Sequence, residues 1–329
     1  MAIPIQIRLI SKREVEKLLS VKDTIEAVER VFYQLGMGRI YHPVHAPMWM
    51  DADHNNMFLA SPAYNMESRD AGVKWVNLFS KHAPELPASY GNLLILSHSD
   101  NAQPYAIIEA TPVTTMRTAG GHGAVAAKYL AKKESESLAV IGCGEQAKAG
   151  IQALLYLFPS LMDIKLFDIS QASMNAVSQL FSEKAKIQCC SDAQSAVENA
   201  DIVFMLTTAQ KPIVQFEWLK KGAFVSGLYS FNDLDSESSR KADKWYLGSR
   251  EVDGHNIIDF PTMQKYSLSH KDVFGDMGEV LTGKCPGREN DNEIIVYTHM
   301  GMAALDLALG KIIYQRAVED NCGLVYDFS

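Results

Sequence analysis

The stretch LAVIGCGEQAKAGIQALLYLF, residues 138–158, limits what this chain can fold into more than any other. An apolar run breaks at Gly142 and Gly144, and apolar residues then resume at helical spacing, which predicts a strand, a tight turn and a helix. The turn reads Gly142-Cys-Gly144-Glu145-Gln146-Ala147, a GxGxxA pattern. The first glycine permits the turn, the second lets the backbone approach a pyrophosphate, and the small third residue lets helix and strand pack closely. Unpaired N–H groups at the helix start, around Glu145 and Gln146, supply an anion site. Such a turn can also be a plain connection inside a core. The strand IKLFD favours the first reading, because Asp168 ends it 26 residues after Gly142. A carboxylate there can bond both ribose hydroxyls and repels a 2′-phosphate. Neither Ile169 nor Ser170 is basic, so the pattern predicts NAD rather than NADP as cofactor.

Around this unit, extended and helical segments alternate. Strands are expected at LAVIG, IKLFD, DIVFMLT, GAFVSGL, KWYLG and EIIVYTH, with helices near 145–158, 170–184, 192–199 and 235–241. This alternation predicts an α/β fold, a Rossmann-type parallel sheet covered on both faces. Thr207 and Thr208 close one of its strands at the carboxyl end, where open α/β sheets bind ligands, although a simple strand terminus explains them equally well. The region before it has another texture. SKREVEKLLSVKDTIEAVERVFYQLGMG predicts one or two amphipathic helices ending at Gly36 and Gly38, and MFLASPAYN, GVKWVNLF, NLLILSH and PYAIIEA read as strands joined by hairpins. The expected organisation is an α+β substrate and dimerisation domain over 1–116, an NAD-binding domain over 117–299, and a last helix, AALDLALGKIIYQRAVED, that returns with 300–329 to the first domain.

A composition of 47% hydrophobic and 21% charged residues is that of a globular chain able to bury a sizeable core. A net charge of −8 disfavours nucleic acid and anionic membranes as partners. The five cysteines include no CxxC spacing, and their odd number argues against a disulfide framework, so a reducing cytoplasm is expected. The opening residues lack the charge order of a secretory signal, and no run of apolar residues is long enough to span a membrane. The histidines His42, His45, His54, His82 and His98 match no zinc spacing, so no metal is expected; GxSxG is absent as well.

A nicotinamide enzyme needs a second set of groups that holds the substrate. In GVKWVNLF, Lys74 has apolar neighbours on both faces, which is costly unless the amine is paired or functional; an edge-strand gatekeeper is the bland alternative. In VTTMRTAGGHG, Arg117 is the one charge among small and hydroxyl residues, placed to clamp a carboxylate or the cofactor diphosphate, or else to form a salt bridge. His122 reads as an ordinary, satisfied histidine at a glycine-rich helix start.

GVKWVN, YAIIEATPVTTMRTAGGHGAVAAKYLA, AVIGCGEQA, DIVFMLTT, EWLKKGAFV and GRENDNEIIVYTHMGMAALD, in this order, resemble the ornithine cyclodeaminase/mu-crystallin family over nearly the whole chain. That family includes archaeal alanine dehydrogenases, ketimine reductases and a dehydrogenase that forms 2,3-diaminopropionate. The N-terminal two thirds look like the first of these, and TGKCPGRENDNEIIVYTHMGMA like the last. The resemblance implies a homodimer and places the family's substrate lysine on Lys74. It puts the arginine near cofactor and substrate on Arg117, and cofactor contacts on Ser89 and Thr118. His299, Met300 and Gly301 fall where the chain usually meets nicotinamide and substrate.

Two positions depart from the family pattern. His45 stands where many members carry an arginine for the substrate carboxylate. The Gly-x-Asp turn of the cyclodeaminases is replaced by Gly227-Leu-Tyr-Ser230-Phe-Asn-Asp233, which shifts the candidate acid/base Asp233. The expected activity is an NAD-dependent oxidation or reduction at the C–N bond of an amino acid or N-substituted amino acid, through an imine, with Lys74 and Arg117 holding the substrate. The alternatives are an ornithine or lysine cyclodeaminase that recycles NAD in place, and a mu-crystallin-like ligand-binding protein.

Overall fold

The structure is a computed structural model, and it describes residues 5–43, 48–50, 56–79, 91–209, 211–228, 233–234, 237–259 and 268–329. The chain divides into two compact units, Met1–Arg117 with Met302–Ser329, and Thr118–Gly301.

The strands in chain order are β1 (Gln6–Ile10), β2 (Ile40–Tyr41), β3 (Met48–Trp49), β4 (Asn56–Asn65), β5 (Asp70–Phe79), β6 (Leu93–His98) and β7 (Pro104–Glu109). These are followed by β8 (Ser137–Ile141), β9 (Asp163–Phe167), β10 (Lys186–Cys189), β11 (Ile202–Met205) and β12 (Phe224–Leu228). The remainder are β13 (Lys244–Leu247), β14 (Gly275–Asp276), β15 (Ile295–His299) and β16 (Leu324–Asp327).

The first unit carries a sheet in the order β16-β1-β7-β6-β5-β4-β2, with β3 also paired to β4. All pairings in it are antiparallel except β1 with β7. Both chain ends therefore contribute to one sheet. The amphipathic stretch 11–38 forms two helices, Lys12–Leu18 and Val21–Gly36, the second opened by a Ser20/Asp23 capping box that satisfies its free N–H groups. The last helix, Ala303–Glu319, lies on β5 and β6. Glycines set how close it comes: a Cβ at Gly310 would stand 2.4 Å from Leu94 Cδ2, and one at Gly72 would meet the Ile95 carbonyl oxygen at 2.2 Å and Leu307 Cδ2 at 2.8 Å. Arg316 fixes the far end of this helix with charge-assisted bonds of 2.6 and 2.8 Å to the two carboxylate oxygens of Asp23.

The second unit holds a wholly parallel sheet in the order β10-β9-β8-β11-β12-β15-β13-β14. Strand order reverses between β8 and β11, so their carboxyl ends, at Ile141 and Met205, flank the crevice where such sheets take ligands. The sheet is buried on both faces. Ile141, Val203, Val225, Trp245 and Val296 point into one core, and Leu138, Val140, Phe204, Phe224 and Tyr297 are equally buried on the other side. Short continuous apolar runs of this kind are what two-sided burial requires.

Candidate functional site

The turn after β8 has the properties its sequence predicts. Gly142 has φ +97°, in the left-handed region, and an added Cβ would stand 2.7 Å from the Leu206 carbonyl oxygen. At Gly144 an added Cβ would meet nothing within 4 Å, so open space lies in front of the helix Glu145–Leu157. That helix has no side-chain cap at Gly144, which leaves its first N–H groups for an anion. Ala147 is fully buried, and the helix presses so closely on β11 that a Cβ at Gly150 would reach Phe204 at 3.1 Å. Glu145 pairs with Lys148 at 2.5 Å on the surface, and the Gln146 Oε1 accepts the Ala119 N–H at 3.1 Å. The Asp168 carboxylate reaches across to the same turn, accepting the Cys143 N–H at 2.7 Å and the Ser170 N–H at 2.8 Å. Ile169 beside it is 98% exposed and Ser170 follows, so neither of these two residues offers a cation to a 2′-phosphate. The glycine geometry, the open cradle and the placed carboxylate together fit a dinucleotide with unmodified ribose.

At the carboxyl end of β11, the Thr207 hydroxyl donates to Asp233 Oδ2 at 3.1 Å and accepts the Ala209 N–H at 3.1 Å. Thr208 follows it and is exposed. Asp233 is wholly buried, and burial pushes its carboxyl up to about 7 against the opposing Thr207 bonds; its Oδ1 has no hydrogen-bond partner among the described residues. At the ends of β13 and β15 the structure stacks two buried histidines that the sequence offered only separately. The His299 ring lies 3.5 Å from the His122 ring at an interplanar angle of 10°, and the Tyr297 hydroxyl bonds His122 Nδ1. Gly248 is required beneath it, since a Cβ there would come within 2.3 Å of the His122 ring. Asp253, fully buried, accepts the Met300 N–H at 2.8 Å and the Ser249 N–H at 2.9 Å, so it holds the backbone just after His299. Met300 itself is 40% exposed.

In the first unit, Lys74 lies on a strand paired on both sides, by Ser61 of β4 and Leu94 of β6, so it is no edge-strand gatekeeper. Its side chain is 2% exposed. Its Nζ donates to Asp306 Oδ1 at 2.7 Å and to the Thr114 hydroxyl at 2.6 Å. Arg117 Nε donates to the same Asp306 oxygen at 3.2 Å. Burial lowers the Lys74 amine to about 8, against the pull of Asp306, while the two cations hold the Asp306 carboxyl below its usual range despite its burial. Arg117 Nη1 and Asp306 Oδ2 are buried and have no hydrogen-bond partner among the described residues. Unspent donors of this kind on a buried guanidinium are a ready receptor for a carboxylate.

Lys74 and Arg117 are thus brought together, and the residue that joins them, Asp306, is one the sequence reading missed. It is the single charge in the apolar run AALDLALG, and that isolation was the available signal. His45 and Ser89 lie outside the described residues. Among the described residues no three His, Cys, Asp or Glu side chains gather as a metal site.

The family model of the ornithine cyclodeaminases and mu-crystallin matches residues 7–321. The chain belongs to the ornithine cyclodeaminase/mu-crystallin family. Among its relatives in that family, alanine dehydrogenase of Archaeoglobus fulgidus is 30% identical over 320 residues, 96% of each chain. The N-((2S)-2-amino-2-carboxyethyl)-L-glutamate dehydrogenase of Staphylococcus aureus is 32% identical over 264 residues, 77% of this chain and 76% of its own. An archaeal alanine dehydrogenase dimer with bound NAD superposes with a TM-score of 0.87 at 28% identity, covering 98% of this chain and 100% of that one.

Proposed function

We propose that this member of the ornithine cyclodeaminase/mu-crystallin family is an NAD-dependent oxidoreductase that acts on the C–N bond of an amino acid or N-substituted amino acid. The observation that carries the reading is the buried Lys74–Asp306–Arg117 cluster, in which two cations share one carboxylate oxygen and Arg117 keeps an unspent donor. A site with that surplus suits the carboxylate of an amino acid.

The dinucleotide would be held by the turn Gly142–Gly144, by the N–H groups at Glu145 and Gln146, and by Asp168, with Thr118, Thr207 and Thr208 beside it. The cofactor would supply a hydride acceptor or donor. Arg117 and Lys74 would bind and orient the substrate, and Lys74, brought to about 8 by burial, would hold or release a proton near neutrality. Met300, the exposed residue after β15, would line the reacting end together with the backbone of His299. NAD as the cofactor follows from Asp168 and from the bound NAD of the archaeal relative.

A homodimer is also proposed. The archaeal relative is a dimer, and the first unit exposes Tyr41, Met48, Met50, Met66, Leu324 and Tyr326, each more than half solvent-accessible. Five free cysteines support a reducing compartment such as the cytoplasm, and among the described residues no helix is long and apolar enough to cross a membrane.

The test is reduction of NAD, followed by its absorbance, on a panel of amino acids and carboxyalkyl secondary amines, with the imine or keto acid plus amine assayed in reverse. Absence of turnover across the panel, with NAD demonstrably bound, would sink the reading. A second reading is favoured by Asp233, a buried carboxyl that burial raises to about 7 and that could carry a proton. It is a cyclodeaminase-type lyase acting on ornithine or lysine, and ammonia release without net NADH distinguishes it.

A further inference from the structure

We propose that Asp306 is the positioning residue of this site: its Oδ1 gathers the Lys74 ammonium and the Arg117 guanidinium onto one oxygen, keeps Lys74 charged within the fold, and leaves their remaining N–H groups for the carboxylate of the substrate. The inference deepens the oxidoreductase reading and rests on it for the identity of the incoming carboxylate.

The geometry begins with backbone packing. Lys74 sits opposite Leu94 across the β5–β6 ladder, and Leu94 is the residue that Gly310 lets the last helix approach. Asp306 lies four residues before Gly310, on the same face of the helix, and so is delivered onto Lys74. His42 Nε2 accepts the N–H of Ala303, the first residue of this helix, at 3.4 Å. Asp306 stands in the first turn, where the helix dipole favours a negative charge.

Among the described residues, four polar side chains act on Lys74. Asp306 comes from the last helix, Arg117 and Thr114 from the helical segment after β7, and Glu109 from the end of β7 itself. Arg117 drives the proton off Lys74, and the two carboxylates retain it, Asp306 more strongly than Glu109. Glu109 is bonded instead to the N–H of Thr111 at 3.2 Å and to its hydroxyl. Without Asp306, Lys74 would be a buried ammonium facing a guanidinium, with Glu109 the remaining carboxylate that acts on it among the described residues. Such an amine loses its proton well below neutral pH, since buried unpaired lysines titrate around 5–6.

The test separates this inference from the catalytic reading by observing Lys74 directly. The full-length protein is labelled at lysine Cε, the Lys74 resonance is assigned by its loss in Lys74→Met, and its titration is followed by NMR. In the wild type it is expected to titrate near 8. In Asp306→Asn, which keeps the size and one carbonyl oxygen, the midpoint is expected to fall by at least one pH unit, and Asp306→Glu, which restores the charge, is expected to recover it. In parallel, the basic limb of kcat/KM for whichever amino acid turns over moves down by the same interval in Asp306→Asn, and KM rises at least tenfold while NADH affinity is unchanged.

An unshifted Lys74 midpoint in Asp306→Asn overturns the proposal, whether or not any substrate has been found. If Asp306→Asn does not fold, the wild-type titration decides: a midpoint near 6 or lower means that Asp306 does not hold the proton on Lys74. A shifted midpoint with no turnover on any amino acid sustains the positioning role and removes only the oxidoreductase reading.

Discussion

Gly142 lies so close to Leu206 that a Cβ at the glycine would stand 2.7 Å from the leucine carbonyl oxygen, whereas two residues on, a Cβ at Gly144 would meet nothing within 4 Å. The two glycines are therefore required for different reasons, one by the protein and one by the ligand. Gly142→Ala must shift the strand-to-turn backbone and adopt φ near +97°, so both thermal stability and nucleotide affinity are expected to fall. Gly144→Ala is expected to unfold like the wild type, within about 0.5 kcal/mol. It should nevertheless lose at least tenfold in NADH affinity by calorimetry, about 1.4 kcal/mol. Wild-type affinity in Gly144→Ala would show that the turn is not the diphosphate cradle.

The Asp168 carboxylate, beside a fully exposed Ile169, is expected to set the choice between the two nicotinamide dinucleotides. Replacing Asp168 by Ser and Ile169 by Arg removes the ribose acceptor and adds a phosphate partner. The ratio of NAD to NADP affinity should invert, moving by at least about 2 kcal/mol in fluorescence titrations. Unaltered preference would mean that the ribose is read elsewhere.

Lys74 binds its proton less tightly in the fold than in the open chain, about 8 against 10.5. Between those values the unfolded chain carries more protons, so stability rises with pH across that window, by up to about 3 kcal/mol for a shift of this size. Denaturant unfolding of the wild type from pH 8 to 10.5 should show this rise, and Lys74→Met should lack it. Loss of the ammonium should also cost at least a hundredfold in kcat/KM, about 2.7 kcal/mol.

Asp233 has the opposite sign. Its carboxyl is raised from 3.8 to about 7, so the native state binds the extra proton between these values and stability falls as pH climbs through them. Asp233→Asn removes the penalty, and above pH 7 it should be more stable than the wild type by a few kcal/mol, while at pH 4 the two should be alike. If the lyase reading holds, the same variant loses ammonia release; if the oxidoreductase reading holds without a proton from Asp233, its NADH formation survives.

Much of this was legible in the sequence because two-sided burial leaves a plain signature. Strands β8, β9, β11, β12, β13 and β15 are short apolar runs between turn residues, and all were expected close to where they lie. The two-residue β14 and the mostly exposed β10 and β16 left no such trace, since strands without a buried face show no alternation. Of the helical segment Thr111–Leu130, only a glycine-rich helix start at His122 was expected; the glycines and threonines before it are poor helix formers, and tertiary packing overrides that preference.

The geometry of the turn after β8 could be read because it is local, confined to GxGxxA and one carboxylate a single strand away. The Lys74–Asp306–Arg117 cluster could not. Lys74 and Asp306 are 232 residues apart and meet only through the docking of the last helix, and nothing in the periodicity of either segment records that approach. His122, on a helical segment, and His299, at the end of β15, likewise come together only in the fold.

Because one sheet is sewn from both termini, the order of synthesis acquires a meaning. Lys74 and Arg117 leave the ribosome early, and their shared counter-ion follows only after the continuous segment Thr118–Gly301 has been made. That intervening segment contains every strand of its own parallel sheet. The two cations must stay hydrated until the final helix arrives, so the desolvation of Lys74 belongs among the last events in the maturation of the nascent polypeptide.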